Sequence, residues 1–439
     1  MKKTEERRTF YIETYGCQMN VAESHVLDAS FLQHGFRAAV HPEEADIVIL
    51  NTCSVRKTAE NRIWGRIGFY KHLKLTKDLK LVITGCMAQR LGDDIIKQEP
   101  AVDMVVGTNN KTDILHFLGR EALDHDEYGF ADSYFHEGAV SSYVPIMNGC
   151  NNFCAYCIVP YVRGREVSRD YRDILTEIKD LETKGVREIT LLGQNVNSYA
   201  YRDGEQLVTF PQLLRMITGE ISSIIWIRFM SSHPKDFSPE LIECIREEKA
   251  VCSHVHLPLQ SGSTDVLKAM NRKYTAGQYL ELVDTLKNEV PGITFTTDIM
   301  VGFPGERDED HQQTLDMMKR VGYIDAFMYY FNPREGTKAA GMDGQLSDSL
   351  RLSRLQQVID LQKQLSAGHK RRQIGSTVSV MCDTLSKRNE SEYVGHTEHG
   401  ERIVFPRADK LNPGDVIDVK ITEVSGNTFR GEMLCLGKQ

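Results

Sequence analysis

Cys150, Cys154 and Cys157 stand at C-x-x-x-C-x-x-C spacing in the stretch Tyr143 to Glu166. An apolar run, Tyr143 to Met147, predicts a strand that delivers its end to Gly149 and Cys150. Three thiolates on one tight loop can hold three irons of a cubane, whereas a closed 4Fe-4S cluster takes four. The remaining iron keeps an open position, as a catalytic metal site does. Zinc is the competing ligand, but no fourth Cys or His follows at zinc-finger distance. Three unrelated buried cysteines are a poor account of this spacing.

A second set lies upstream. Three apolar segments, FYIETYGC, DIVILNTC and LVITGC, end in Cys17, Cys53 and Cys86, which are 36 and 33 residues apart (from 17 to 53 and from 53 to 86). Each of these cysteines alone reads as a buried apolar residue. Their shared placement predicts a second cluster, again with three protein ligands and an open iron. A fourth unit, Val102 to Asn110, ends in Gly107 and Thr108 without a cysteine.

The elements that must position these thiols follow from periodicity. Helical patterns at Val21 to His34 and Val55 to Lys74 separate the three N-terminal strands, giving a doubly wound parallel sheet with ligands at the strand carboxyl ends. Glu121 to Ser142 is acidic and aperiodic, a linker. Beyond it, strands are expected at Tyr143 to Met147, Glu188 to Leu192, Ile224 to Met230, His254 to Leu259, Thr294 to Val301 and Ala326 to Phe331. Helical patterns such as Arg172 to Lys184 and Gly277 to Glu289 lie between them. Six βα repeats are too few for a closed eight-stranded barrel, so an open partial (β/α)6 barrel is expected. Polar or glycine-rich residues follow its strands, among them Gln194, Ser232 and Gln260. Any one of these is a plausible turn or cap residue, but their recurrence points to a ligand-lined mouth. His233 could serve as a base, yet His before Pro more often sits in a turn. From Ser376, short β runs around an Asn412-Pro413-Gly414-Asp415 turn indicate a small antiparallel β-barrel.

The chain has 439 residues, 41% hydrophobic and 26% charged, an ordinary globular composition with room for several domains. The N-terminus lacks an apolar signal core, and no run of about eighteen apolar residues occurs, so the expected location is cytoplasmic, with no membrane contact. Ten cysteines in that setting favour metal chemistry over disulfides. A net charge of -8 excludes a globally basic nucleic-acid binder, so an RNA surface would be local. Basic clusters occur at Arg56, Lys57, Arg62 and Arg66 and at Lys370, Arg371 and Arg372; a solvated helix face explains either equally well. The C-terminal barrel carries eight Lys and Arg against ten Asp and Glu, so the run His369 to Arg372 would have to supply phosphate contacts.

The three-cysteine loop resembles that of radical S-adenosylmethionine (SAM) enzymes, and the C-terminal barrel resembles a TRAM domain. The whole chain is similar to the methylthiotransferases, in IVPYVRGRE, LLGQNVN, LPLQSGS, LKAMNRKYT, VGFPGE and NPREGT as well as in the cysteines. The resemblance implies an N-terminal methylthiotransferase domain at 8–122, a radical SAM domain at 143–370 and a TRAM domain at 373–437. It places Cys150, Cys154 and Cys157 on the 4Fe-4S cluster that cleaves SAM, and Cys17, Cys53 and Cys86 on an auxiliary 4Fe-4S cluster. Gln194, Ser232 and Gln260 become SAM contacts. Cys244, Cys252, Cys382 and Cys435 match no ligand position and read as core residues. Two SAM molecules are implied, one the radical source and one the methyl donor. The implied reaction puts a methylthio group on carbon 2 of N(6)-dimethylallyladenosine beside the anticodon of tRNA. The implied partners are the anticodon stem-loop and a reductase or flavodoxin-type electron donor, with the protein a monomer. Sister branches act on an aspartate of a ribosomal protein or on threonylcarbamoyl adenosine in tRNA. A non-catalytic iron–sulfur RNA-binding protein is the rival of another class, and two open irons argue against it.

Overall fold

The structure, a computed structural model, describes residues 8–54, 57–108, 110–111, 113–120, 138–408 and 411–435. Its N-terminal sheet has five parallel strands, β1 (Thr9–Thr14), β2 (Arg37–Ala38), β3 (Ile47–Thr52), β4 (Lys80–Gly85) and β5 (Met104–Val106), in the order β2-β1-β3-β4-β5. Every residue of β3 is buried, because helices cover both faces, as a parallel sheet requires. Ile47 and Ile49 pack with Leu27 and Phe31 of α1 (Gln18–Gln33), while Val48 and Leu50 pack with Ile63 and Ile67 of α2 (Lys57–Leu73). The expected doubly wound sheet is therefore present. Its strand order reverses between β1 and β3, the point where ligands collect in such folds.

The central domain contributes β6 (Ser141–Pro145), β7 (Met147–Asn148), β8 (Val167–Ser168), β9 (Glu188–Leu192), β10 (Ala200–Asp203), β11 (Gln206–Thr209), β12 (Trp226–Phe229), β13 (His254–His256), β14 (Thr294–Val301) and β15 (Asp325–Tyr330). Strands β6, β9 and β12 form one parallel sheet and β13, β14 and β15 another. A bridge from Ile227 of β12 to Val251, three residues before β13, brings them side by side. The six repeats expected from the sequence are thus one curved, open wall with β6 and β15 at its edges. One apolar core, including Val144, Leu191, Ile227, Val255 and Ile299, runs along it. The antiparallel hairpin β10–β11 was not foreseen; its residues are polar and half exposed and carry little periodicity. Of the expected linker, residues 121–137 lie outside the described residues, and Ser141 and Ser142 already belong to β6.

The 26-residue helix Asp348–Gln373 leads to the C-terminal barrel. That barrel closes β16 (Thr377–Leu385), β17 (Glu392–Thr397), β18 (Arg402–Pro406), β19 (Val416–Ser425) and β20 (Thr428–Cys435) in the order β16-β17-β18-β20-β19. The antiparallel expectation holds for every pair but one, since β18 and β20 run parallel. A closed ring of alternating strands needs an even number, so five strands must leave one parallel pair.

This barrel docks beneath the central domain, at the amino ends of its strands. His396 lies 2.7 Å from Glu188, the first residue of β9. Arg228 reaches the Thr397 carbonyl at 2.9 Å, and His399 meets Thr294, the first residue of β14, at 3.0 Å. Lys370 is drawn into the same packing. It is buried and donates to the Asn427 carbonyl at 3.1 Å, so it is not the free phosphate ligand that the sequence suggested. Its neighbours Arg371 and Arg372 are exposed. In the other basic cluster, Arg66 is spent on Glu13 and Tyr70, while Arg56 lies outside the described residues.

Candidate active site between two cysteine triads

Cys150, Cys154 and Cys157 share one loop beyond β7, as their spacing predicts. Gly149 starts it at a φ of +79°, where an added Cβ would run into the Arg165 carbonyl. The loop is clasped from outside: Ala155 donates to the Met270 carbonyl at 2.9 Å, and Ala339 donates to that of Ala155 at 2.8 Å. Asn271 donates to the Phe153 carbonyl at 2.9 Å. The next residue, Arg272, is buried and holds Nη1 3.5 Å from Cys154 Sγ. Burial pushes the free Cys150 thiol up to about 11, and burial together with the Cys154 charge pushes Cys157 up to about 12. Loading iron here therefore releases protons, since a thiol binds metal as thiolate.

Around this loop the strand ends carry polar atoms with nothing to bind. Gln194 Oε1, Asn195 Oδ1 and Ser232 Oγ are buried without a hydrogen-bond partner among the described residues. Leaving such a group unpaired costs about 1–3 kcal/mol, which a polar ligand would recover. Gln260 is buried at a φ of +67°, its backbone joined to Asp298 and Met300 at 2.8 Å each. His233 sits in the turn its sequence suggested, accepting from the Lys235 amide at 3.3 Å. Burial, with the Arg272 charge, pushes its pKa down to about 2 and keeps it neutral. A cavity of about 600 Å³ on the flank, between Asn197 and Glu243, is lined by none of the six cysteines.

The other three thiols stand at one edge of the N-terminal sheet. Cys17 caps α1, Cys53 follows β3, and Cys86 opens the helix α3 (Cys86–Leu91) after β4. A Cβ placed on Gly16 would lie 2.7 Å from that of Cys53. Cys17 is exposed, and Cys53 and Cys86 are each 4% exposed. Both triads are soft thiol sets on tight turns, a donor chemistry that fits iron–sulfur clusters. Among the described residues, no group of His, Cys, Asp or Glu closes around a single metal ion. Cys244, Cys252 and Cys382 are buried core residues, as the sequence implied.

The two domains meet in a seam beside the second triad. Cys86 packs with Ile158 and Val162, residues of the turn that follows Cys157. Arg163, from the central domain, is buried there; it donates to Glu23 at 2.7 Å and to Asn20 and Asn148 at 3.2 Å each. Lys111 meets the same carboxylate at 3.1 Å. Burial pushes Glu23 up, but the charges of Arg163 and Lys111 outweigh it and hold its pKa at about 2. Burial raises Cys86, and the Arg163 charge works against that rise. Arg163, Arg272 and Glu23 were not singled out from the sequence. Two of them lie in stretches that carried the resemblance, VRGRE and MNRKYT, but nothing local shows what they touch.

Comparisons with known proteins fit this arrangement. The pattern of the Radical SAM superfamily matches residues 144–318 and that of the TRAM domain residues 371–434. Residues 9–107 match a family described as uncharacterized protein family UPF0004. The radical SAM methyltransferase TsrM from Kitasatospora setae shares the fold at a TM-score of 0.58 and 14% identity, over 76% of this chain and 77% of that one. These matches define the class, a radical SAM protein with a TRAM barrel. The tRNA-2-methylthio-N(6)-dimethylallyladenosine synthase of Treponema pallidum (strain Nichols) is 47% identical over 97% of this chain and 99% of its own length. Its counterpart from Bacteroides fragilis (strain ATCC 25285) is 43% identical over 98% and 96%. The chain belongs to the tRNA-2-methylthio-N(6)-dimethylallyladenosine synthase family.

Proposed function

We propose that this protein converts N(6)-dimethylallyladenosine beside the anticodon of tRNA to its 2-methylthio derivative. The observation that carries the reading is the seam, where Cys86 of one triad packs against Ile158, next to Cys157 of the other. When bound, two 4Fe-4S clusters and SAM supply the radical that opens the C–H bond at carbon 2 and the methylated sulfur that replaces it. Cys150, Cys154 and Cys157 hold one cluster and Cys17, Cys53 and Cys86 the other, each leaving one iron without a protein ligand. Gln194, Ser232 and Gln260 orient SAM, and the two unpaired oxygens at Gln194 and Ser232 are consistent with that role. Arg272 supplies positive charge at Cys154. The packed seam keeps water from a reactive centre.

Around this core, the domains are 8–122, 143–370 and 373–437, the donor of electrons is a reductase or flavodoxin-type protein, and the protein works as a cytoplasmic monomer. No helix among the described residues is long and apolar enough to cross a membrane. The deciding assay offers three substrates at equal concentration: the prenylated anticodon stem-loop, the unprenylated loop and a ribosomal protein. Burying the prenyl carbons contributes on the order of 2–3 kcal/mol, so the unprenylated loop should react at least tenfold more slowly. Preference for the protein would move the chain to a sister branch.

A further inference from the structure

Arg334 lies in the loop after β15 and is 7% exposed. The same loop wraps the three-cysteine turn. Ala339 donates to Ala155, and Gly336 approaches the Ile158 side chain, which itself packs on Cys86. Arg334 is therefore at the seam, beside both triads. Its Nη1 donates to Glu60 at 3.1 Å, and its Nη2 is buried with no partner among the described residues. Glu60 is already used, because Arg90 donates to it at 2.8 Å and Ser54, next to Cys53, lies at 3.1 Å. Two guanidinium groups thus share one carboxylate, leaving an excess positive charge and an unsatisfied N–H in a nearly dry place. Burying an uncompensated charge is costly, so the arrangement suits an anion beyond the one carboxylate that the described residues place there.

We propose that Arg334, backed by Arg90 and Glu60, is an anion site that takes a phosphodiester of the RNA substrate, the one flanking the adenosine presented between the triads. This rests on the RNA reading given above. The carboxylate of SAM is the other anion at hand, but of the residues suited to SAM, Gln194 and Ser232 follow β9 and β12, and Gln260 follows β13 and bridges to β14. Arg334 follows the edge strand β15 and is turned to Glu60 of the N-terminal domain, not to those residues. A guanidinium edge also suits a phosphate, since its N–H donors match the oxygen spacing. Unlike the exposed Arg371 and Arg372, this cation is buried at the seam.

The test uses the iron-loaded full-length protein and a prenylated anticodon stem-loop. Arg334→Gln should weaken RNA binding at least tenfold at low salt and reduce the slope of log affinity against log salt by about 0.7–1. Iron content, and 5′-deoxyadenosine formation without RNA at graded SAM, should not change. Arg334→Lys, which keeps the charge but not the fork, should keep the slope while weakening binding several-fold. Unchanged RNA affinity and slope in both variants would overturn the proposal, and so would a raised SAM requirement, which would make this the SAM carboxylate site. If Arg334→Gln loses iron or melts early, Arg334→Lys decides, and wild-type affinity in an iron-replete Arg334→Lys protein would sink the idea. Failure of the wild-type protein to bind this RNA would instead remove the substrate reading itself.

Discussion

The two triads reach similar donor sets by opposite routes. Cys150, Cys154 and Cys157 are neighbours in sequence, so a glycine turn and a few backbone hydrogen bonds bring them together. Cys17, Cys53 and Cys86 are brought together by the order of a parallel sheet, each at the end of a different strand. The first set depends on local geometry and the second on the whole N-terminal fold. Their charges differ as well. Arg272 of its own domain stands by the first triad, whereas Arg163 is lent across the seam to the second. A sheet-built site can thus borrow its electrostatics from a neighbouring domain, which ties its properties to how well the seam closes.

That contrast can be broken most severely at the thiols. Replacing Cys150, Cys154 and Cys157 together by Ala should abolish reductive SAM cleavage and leave one cluster, measured by 5′-deoxyadenosine yield and iron content. Replacing Cys17, Cys53 and Cys86 together should spare SAM cleavage but stop methylthio product, read by mass analysis of nucleosides. Methylthiolated nucleoside from that second variant, with no sulfur source added, would remove the division of labour.

Smaller changes sharpen the difference. Arg163→Leu leaves Glu23 buried with Lys111 alone and should cost about 3 kcal/mol, visible as a lower denaturation midpoint of the N-terminal domain. Gly149→Ala and Gly16→Ala each force a side chain onto a positive-φ residue, at +79° and +125°, and should cost about 1–3 kcal/mol. The first should loosen iron only at the Cys150 loop, and the second only at the sheet-built triad; electron paramagnetic resonance of each triple-cysteine background separates the two. The smallest expected effect is at the C-terminal barrel. Burial would lower the pKa of His396, but hydrogen bonds from its ring to Asp383 and Glu188 win and raise it from 6.5 to about 9. Its contribution to docking is full below pH 6.5 and is lost as pH rises through 9. Thermal unfolding should show that loss, and His396→Gln should remove it.

The sequence made the site's donors legible because cysteine spacing and strand periodicity are local or regular signals. It anticipated the sheet edge that gathers Cys17, Cys53 and Cys86, since parallel strands put their ends on one side. Partners chosen by domain packing left no such trace. Glu23 and Arg163 are 140 residues apart, and no pattern along the chain couples them. Lys370 illustrates the reverse error, because a basic run looks solvated until the barrel packed beside it is known. The parallel β18–β20 pair depended on strand count and closure together, which individual β runs do not reveal.

The docking of the C-terminal barrel at the amino ends of the strands turns the central domain into a ruler. The candidate chemistry lies at the opposite, carboxyl ends, and β14 alone spans eight residues between them, about 26 Å at ~3.3 Å per residue. An RNA that touched both the barrel and the cysteine seam would have to span that length along the outside of the domain.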